Sequence, residues 1–277
     1  MLSQRVSSDT ATEVISALYD APKSFVKREG AAPVDAAMRE RAMRAMELIA
    51  RGAPLQYAVG SAAFRSLTLH VDERVLIPRP ETELLVDIVL EMRGGQRGGL
   101  AIDVGTGSGC IALSLAVEGN FDRVIATDVS LDALVVARLN AVRCATLMMA
   151  PMEFMHGSLL SPFLNSRHPD SPKPALIVSN PPYIAFSEAS ALPANVRNWE
   201  PFTALFSGGE GLHVTQQLIR QAGDALESAG ILALEVDARR ASLVAELIAQ
   251  DGRFDNVAMR LDLTGRERFV VANRQER

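Results

Sequence analysis

Apolar residues recur along this chain at two spacings, one helical and one alternating. Residues 9–20 and 34–51 carry the helical spacing. In the second stretch Met38, Ala42, Met46 and Ile49 fall on one face, and Arg39, Glu40, Arg44 and Glu47 point outward. Gly52 and Pro54 end it. The segment between the two, with Pro22, Gly30 and Pro33, reads as a short helix or loop. Its Lys23, Lys27 and Arg28 read as a solvated face, with a partner-binding face as the alternative. Alternation follows: Leu67, Leu69 and Val71 against Thr68 and His70, a turn at Asp72-Glu73, then Val75 and Ile77. This pattern predicts a hairpin that ends at the stiff connector Pro78-Arg79-Pro80. His70 is read as a surface strand residue without chemistry. A helix capped by Thr82 comes next, with Leu84, Leu85, Ile88, Val89 and Met92 on its apolar face. The domain boundary falls near residue 80, dividing a helical domain with a β-hairpin connector (1–80) from a larger domain (81–277).

Beyond the flexible Gly94–Gly99 loop, short apolar runs alternate with helical stretches. Strands are predicted at 100–104, 123–127, 152–156 and 175–179, and helices at 109–118 and 131–144. That order calls for a parallel sheet covered by helices on both faces. An irregular stretch runs from Asn180 to Gly211. A helix (213–228), a strand (230–236), a helix (239–250) and strands near 255–262 and 266–272 complete the chain. Thr264-Gly265 joins the last two as a tight antiparallel turn. His168 to Pro174 reads as an exposed loop.

Composition narrows the classes. A chain of 277 residues holds one large domain or two modest ones. The net charge of −5, with no basic block, argues against broad electrostatic binding to nucleic acid. Cys110 and Cys144 lie on candidate helices and form neither a disulfide framework nor a metal-ligand cluster; they read as buried thiols in a reducing cytosol. The stretch around Arg5 and Asp9 lacks the apolar core of a signal peptide, and no apolar run is long enough to span a membrane.

Three short stretches carry candidate chemistry. Asn180-Pro181-Pro182-Tyr183 follows the apolar run Ala175–Ser179. Consecutive prolines cannot continue a central strand, so the chain leaves the sheet at Asn180. An amide, a stiff backbone and an aromatic ring are thereby left at the carboxyl end of a strand, where open α/β sheets bind ligands. A rigid turn is the plainer alternative. Upstream, Asp103-Val-Gly105-Thr106-Gly107-Ser108-Gly109 opens a helix after a strand. Its spacing is Gly-x-Gly-x-Gly; the dinucleotide fingerprint fails because its sixth position is Cys110. With no Lys or Arg in the loop and Asp103 beside it, a neutral or cationic ligand fits better than a phosphate. Asp103 either holds the loop through backbone hydrogen bonds or faces the ligand's amino group. Asp128 ends the second strand, where a carboxylate accepts both hydroxyls of a ribose. Capping the next helix is its alternative, a role that Ser130 fills equally well.

Together these stretches resemble the class I S-adenosylmethionine-dependent methyltransferases, and Asn180–Tyr183 points to those that methylate a planar nitrogen. Pro54-Leu-Gln56-Tyr57, Leu76-Ile-Pro78-Arg79-Pro80-Glu81-Thr82-Glu83, and Glu200-Pro201 with Ala204-Leu205 and Gly208-Gly209 further resemble the release-factor glutamine methyltransferase family. The resemblance implies an α/β fold of Rossmann-like class I methyltransferase type. Its seven-stranded mixed sheet has an antiparallel last strand and follows a small helical substrate-recognition domain with a hairpin linker. It implies S-adenosylmethionine as cofactor, held by Gly105, Thr106, Gly107, Ser108, Gly109, Asp128, Leu159 and Asn180. It implies Asn180, Pro181 and Tyr183 as catalytic, and Asn180, Pro181, Pro182 and Tyr183 as the grip on the substrate glutamine. The implied partner is a bacterial class-I peptide-chain release factor carrying Gly-Gly-Gln, met by a cytoplasmic monomer. The chain departs from the family pattern at Gly157-Ser158-Leu159, where an Asp and a large residue are usual, and at Glu235-Val-Asp-Ala-Arg239, which lacks a glycine. Glu81, Thr82 and Glu83 either border the channel or cap a helix; Glu200 either orders a loop over the site or is a plain surface residue. No strong base is needed, so His156, His168 and His213 are assigned no catalytic part. The rival readings are an amino-group methyltransferase of adenine or guanine in nucleic acid, a catalytically silent binding subunit of the same fold, and a nucleotide-dependent dehydrogenase.

Overall fold

A computed structural model describes residues 7–29, 33–166 and 171–276. Arg5, Gly30 and the first part of the His168–Pro174 loop lie outside them. The chain opens with α1 (Ser8–Tyr19), α2 (Lys23–Arg28), α3 (Ala36–Ala50) and α4 (Leu55–Val59). The Ser7 and Asp35 side chains cap α1 and α3 by accepting the N–H groups of Thr10 and Met38. Val14, Ala42 and Ala45 form a small core with Ile15, Leu18, Met46 and Ile49 around it.

The hairpin is built from β1 (Ser61–Phe64) and β2 (Leu67–His70), one strand earlier than the alternation predicts. The turn lies at Arg65-Ser66, not at Asp72-Glu73. Arg65 takes a left-handed conformation (φ 52°), and its guanidinium binds Glu118, Asp87 and the Glu83 carbonyl. Asp72 instead binds the N–H and guanidinium of Arg74, so the chain turns without pairing back. Val71, Val75 and Ile77 are buried beside Tyr57, Ala133 and Val136, which explains their apolar character. His70 is half-buried and hydrogen-bonded, not a surface residue: its ring meets the Gly60 carbonyl and Asp72.

The larger region follows the predicted alternation closely. It comprises α5 (Pro80–Arg93), β3 (Leu100–Val104), α6 (Cys110–Glu118), β4 (Arg123–Asp128), α7 (Leu131–Cys144), β5 (Met152–His156), α8 (Ser161–Ser166) and β6 (Pro174–Ser179). After a turn of 3-10 helix over residues 186–191 come α9 (Ala194–Arg197), α10 (Phe202–Leu205), α11 (His213–Ala225), β7 (Ile231–Glu235), α12 (Ala241–Asp251), β8 (Phe254–Leu261) and β9 (Glu267–Arg274). The short α8 is not foreseen, although Ser161-Pro162 is a helix-start signal. The seven-stranded sheet runs β5-β4-β3-β6-β7-β9-β8; the last strand in the chain, β9, is inserted antiparallel between β7 and β8, and the other six run in one direction. Strands β3, β6 and β7 are buried at every position. Their successive side chains feed two cores: Ala101, Leu176 and Val178 meet α5 and α6, while Ile102, Ile177 and Leu232 meet α11 and α12. No helix among the described residues is long and apolar enough to cross a membrane.

The sheet's register positions the site. The chain moves outward from β3 to β4 and β5, then returns to the other side of β3 as β6. Such a reversal leaves a crevice beyond the strand ends. Val104 is paired with Thr127 on one side and Ser179 on the other. The next residues, Gly105, Asp128 and Asn180, therefore emerge side by side.

Asn140 of α7 ties the hairpin to this crevice. Fully buried, it accepts the His70 N–H at 2.7 Å and donates to the His70 and Ser108 carbonyls, each at 2.9 Å. Asn140→Ala is expected to cost about 2 kcal/mol, because it strands buried backbone groups. Urea denaturation checks this: a midpoint equal to that of the parent protein would reject the role.

Candidate active site

The glycine loop turns over the ends of β3 and β4. The Gly105 and Thr106 N–H groups both donate to the Thr127 carbonyl, at 2.9 and 3.0 Å. Asp103 holds the loop from beneath: its Oδ2 accepts the Thr106 hydroxyl at 2.7 Å and the Ala112 N–H at 3.1 Å. Gly105 and Gly107 have φ of 72° and 54°, and a Cβ on either would meet open space. They supply bare left-handed backbone at the edge of a cavity. Asp128 accepts the Gly107 N–H through Oδ2 (2.9 Å) and the Ser130 N–H through Oδ1 (2.8 Å). Ser130, not Asp128, caps α7 by accepting the Ala133 N–H.

Two cavities meet at Asn180. The first, about 340 Å³, is lined by Gly105, Gly107, Asp128, Val129, Ser158, Leu159, Asn180 and Pro182, and closed by Leu76, residues 201–204 and Phe206. Its volume falls within the ordinary range of small-molecule sites, about 300–1,000 Å³. The second, about 200 Å³, is lined by Arg79, Tyr183, Ile184, Leu192 and Val196. Leu76, Asn180 and Ala204 belong to both. A wider depression of about 560 Å³ on the outer face of α3, around Arg39 and Met43, shares no residue with either.

The segment after Tyr183 is pinned at several points. Ile184 bridges to Phe206. Gly211 lies so close to the Tyr183 carbonyl that a Cβ would sit 2.2 Å from its oxygen. Phe202 stacks on Phe186 and packs tilted against Phe206, with ring centres 5.7 and 4.7 Å apart. The Arg79 guanidinium reaches both carboxylate oxygens of Glu200, at 2.6 and 2.8 Å. Glu200 is buried, so it belongs to the frame of the loop and not to the open surface.

Thr82 does not cap α5. The helix begins at Pro80, and Thr82 lies buried at its third position. The Thr82 hydroxyl donates to Glu235 Oε2 at 2.7 Å and accepts from Asn180 Nδ2 at 3.2 Å. Burial raises the Glu235 carboxyl to about 7, against the Thr82 hydrogen bond and the nearby Arg268 and Arg79 charges. Burial likewise raises Asp103 to about 7. The Tyr183 phenol is pushed up to about 12, also by burial, and stays neutral at ordinary pH. Burial raises Asp128 too, opposed by the N–H groups it accepts.

Of the residues singled out in the sequence, Gly105, Gly107, Asp128, Leu159, Asn180 and Pro182 line the first cavity, and Tyr183 lines the second. Thr106, Ser108 and Gly109 lie behind the first cavity's wall. Thr106 turns to Asp103, Ser108 is buried, and a Cβ on Gly109 would crowd Ala137 and Leu113. Pro181 is buried behind Asn180 and lines neither cavity. His156 bonds to the Val129 carbonyl and His213 to Gln217; neither lines a cavity, and His168 lies outside the described residues. Sequence reasoning misses Leu76, Ala204 and Glu235. The first two sit inside stretches noted only as motifs, and Glu235 was visible as an acid ending a buried apolar strand.

Residues 80–196 match the family described as methyltransferase small domain. The release factor glutamine methyltransferase of Gloeobacter violaceus is 40% identical over 218 residues, which cover 79% of this chain and 73% of that protein. That of Enterococcus faecalis is 38% identical over 219 residues, covering 79% and 75%. Among solved structures, a methyltransferase from Pyrococcus furiosus is similar in fold, with a TM-score of 0.54 at 17% identity over 77% of this chain and 92% of that one.

Removing Glu200 is expected to loosen the roof of both cavities. Glu200→Ala leaves Arg79 without its partner, at a cost of about 2 kcal/mol, below that of a fully buried pair because Arg79 is partly exposed. Hydrogen–deuterium exchange over residues 186–206 is expected to rise, and an unchanged pattern there would exclude the role.

Proposed function

This chain belongs to the release factor glutamine methyltransferase family, and from that premise we propose how its residues act on a planar acceptor amide. The enzyme transfers a methyl group from S-adenosylmethionine to the side-chain amide nitrogen of a release-factor glutamine. The acceptor is the glutamine of a Gly-Gly-Gln motif in a bacterial class-I release factor, met by a cytoplasmic monomer. Residues 1–80 recognise the protein partner, and residues 81–277 carry out the transfer. The observation that carries this reading is the meeting of two cavities at one amide side chain.

The first cavity fits the cofactor. Gly105 and Gly107 leave space where side chains would intrude, and Asp128 places a carboxylate on the same wall. Its oxygens each take one backbone N–H and keep further lone pairs for ribose hydroxyls. Val129, Ser158 and Leu159 form the adjoining wall, on the side assigned to the adenine. Bound there, S-adenosylmethionine supplies an electrophilic methyl group on a sulfonium.

The second cavity takes the acceptor. A glutamine nitrogen is a weak nucleophile because its lone pair is shared with its carbonyl. Orientation must therefore contribute much of the rate. Asn180 Oδ1, where the cavities meet, accepts one amide hydrogen, and the Pro181 carbonyl, which borders neither cavity in this structure, takes the second once the acceptor enters; together they fix the amide plane and favour the positive charge developing on nitrogen. The two prolines hold the carbonyl without reorganisation. The Tyr183 ring forms the wall beside the amide, and its neutral phenol takes no proton at ordinary pH. Once methylation has begun the nitrogen's proton is acidic, so no strong base is required.

Labelled S-adenosylmethionine, offered with a release factor, its Gln→Ala form and nucleic acid in separate reactions, is expected to label the unaltered release factor alone. Label on nucleic acid alone would reverse the substrate assignment. Asn180→Ala is expected to lower kcat by about 10²–10³-fold while sparing cofactor affinity; near-normal turnover would sink the clamp. Asp128→Ala is expected to raise the cofactor Kd about tenfold or more. An unchanged Kd by calorimetry would reject the ribose role.

A further inference from the structure

We propose that Glu235 and Thr82 set which way the Asn180 side-chain amide faces, and so act as positioning residues for the acceptor clamp. The inference rests on the amide-methylation reading above. The oxygen and nitrogen of an asparagine amide are nearly the same size, so two orientations half a turn apart fill the same space. Only one presents the carbonyl oxygen to an incoming NH₂ group. The other presents hydrogens and repels it.

The hydrogen-bond chain decides between them. Glu235 Oε2 lies 2.7 Å from the Thr82 hydroxyl, and that hydroxyl lies 3.2 Å from Asn180 Nδ2. An ionised carboxylate only accepts, so the single hydroxyl hydrogen is committed to Glu235. The lone pairs left on Thr82 are satisfied only by a donor, and Asn180 must offer its NH₂. Its Oδ1 is then free for the acceptor; no described side chain or backbone group donates to it. Thr82 and Glu235 are 2% and 1% exposed, so water does not compete within the chain. The three residues come from the first turn of α5, the end of β7 and the exit of β6, so the chain of bonds ties together three separate elements of the fold.

The direction of this chain depends on the charge of Glu235. When protonated, Glu235 donates to Thr82, the Thr82 hydrogen turns to Asn180, and the amide reverses. Among the groups around Glu235, Arg268 and Arg79 favour the ionised form and Glu81 opposes it. Tyr183 and Cys110, also nearby, are both raised to about 12 and remain neutral. Burial outweighs the rest and brings the carboxyl to about 7. The active orientation is therefore held above that value and lost below it.

The test compares the parent enzyme with Thr82→Ser, Thr82→Val and Glu235→Gln. The measured quantity is kcat with a Gly-Gly-Gln release factor at saturating cofactor, between about pH 5.5 and 8.5. Saturation separates the result from Asp103, whose titration would act through the cofactor loop. The parent is expected to lose kcat on the acid side with a midpoint near 7, and Thr82→Ser to behave alike. Thr82→Val is expected to lower kcat by about 10²-fold with an unchanged cofactor Kd. Glu235→Gln is expected to lose the acid limb. A Thr82→Val enzyme with parental kcat, or an unmoved acid limb in Glu235→Gln, would overturn the proposal. A second readout needs no substrate: by NMR, the Asn180 side-chain NH₂ is expected to exchange slowly with water in the parent and rapidly in Thr82→Val. Equal exchange in the two would also overturn it. A parent enzyme that labels no release factor would instead count against the amide reading, and the exchange measurement still decides the orientation.

Discussion

The pairing of β3 with β4 on one side and β6 on the other is the constraint on which this molecule depends. Val104 faces both Thr127 and Ser179, and the Ser179 hydroxyl adds a 2.6 Å bond to the Val104 carbonyl. One residue further on, three chains leave the sheet together as a bare glycine, a carboxylate and an amide. A slip of one residue in either pairing would turn the strand's alternate side chains from one core to the other. The strands' burial on both faces makes that slip costly, so packing far from the crevice holds the three groups in place.

Much of this was legible in the sequence because buried parallel strands read as unbroken apolar runs and their exits are marked by residues that cannot continue them. Pro181 and Pro182 end β6, and the glycines after Val104 end β3. The hairpin escapes the alternation pattern for the opposite reason. Ser61-Ala-Ala-Phe64 carries little alternation, whereas Val75 and Ile77 alternate but bury themselves against α7 and Tyr57 without pairing. Alternation reports burial on one side, and a loop packed on a helix satisfies it as well as a strand does.

The support behind the site was not legible, because it consists of side-chain contacts between distant positions. Thr82 meets Glu235 across 153 residues of chain and Asn180 across 98. Arg79 meets Glu200 across 121. Local patterns place Thr82 at a helix start, where a capping role is the natural reading. The fold places Pro80 first and turns Thr82 inward instead. Glu200 shows the same effect: nothing in its neighbours distinguishes a buried acid from a surface one until Arg79 arrives from another part of the chain.

These contacts bear on how a site with several charges nearby would present the neutral clamp proposed for it. Arg79 is occupied by Glu200, Asp128 by two backbone N–H groups, and Glu235 by the Thr82 hydroxyl. A free carboxylate at the amide would attract cations and compete for the acceptor's hydrogens. A free guanidinium would oppose positive charge developing on the nitrogen. On the proposed reading, turning these three charges onto partners leaves carbonyl oxygens to meet a planar NH₂. Their hold is weaker than an ion's but directional, and direction is what an amide lone pair needs in order to meet an incoming methyl group.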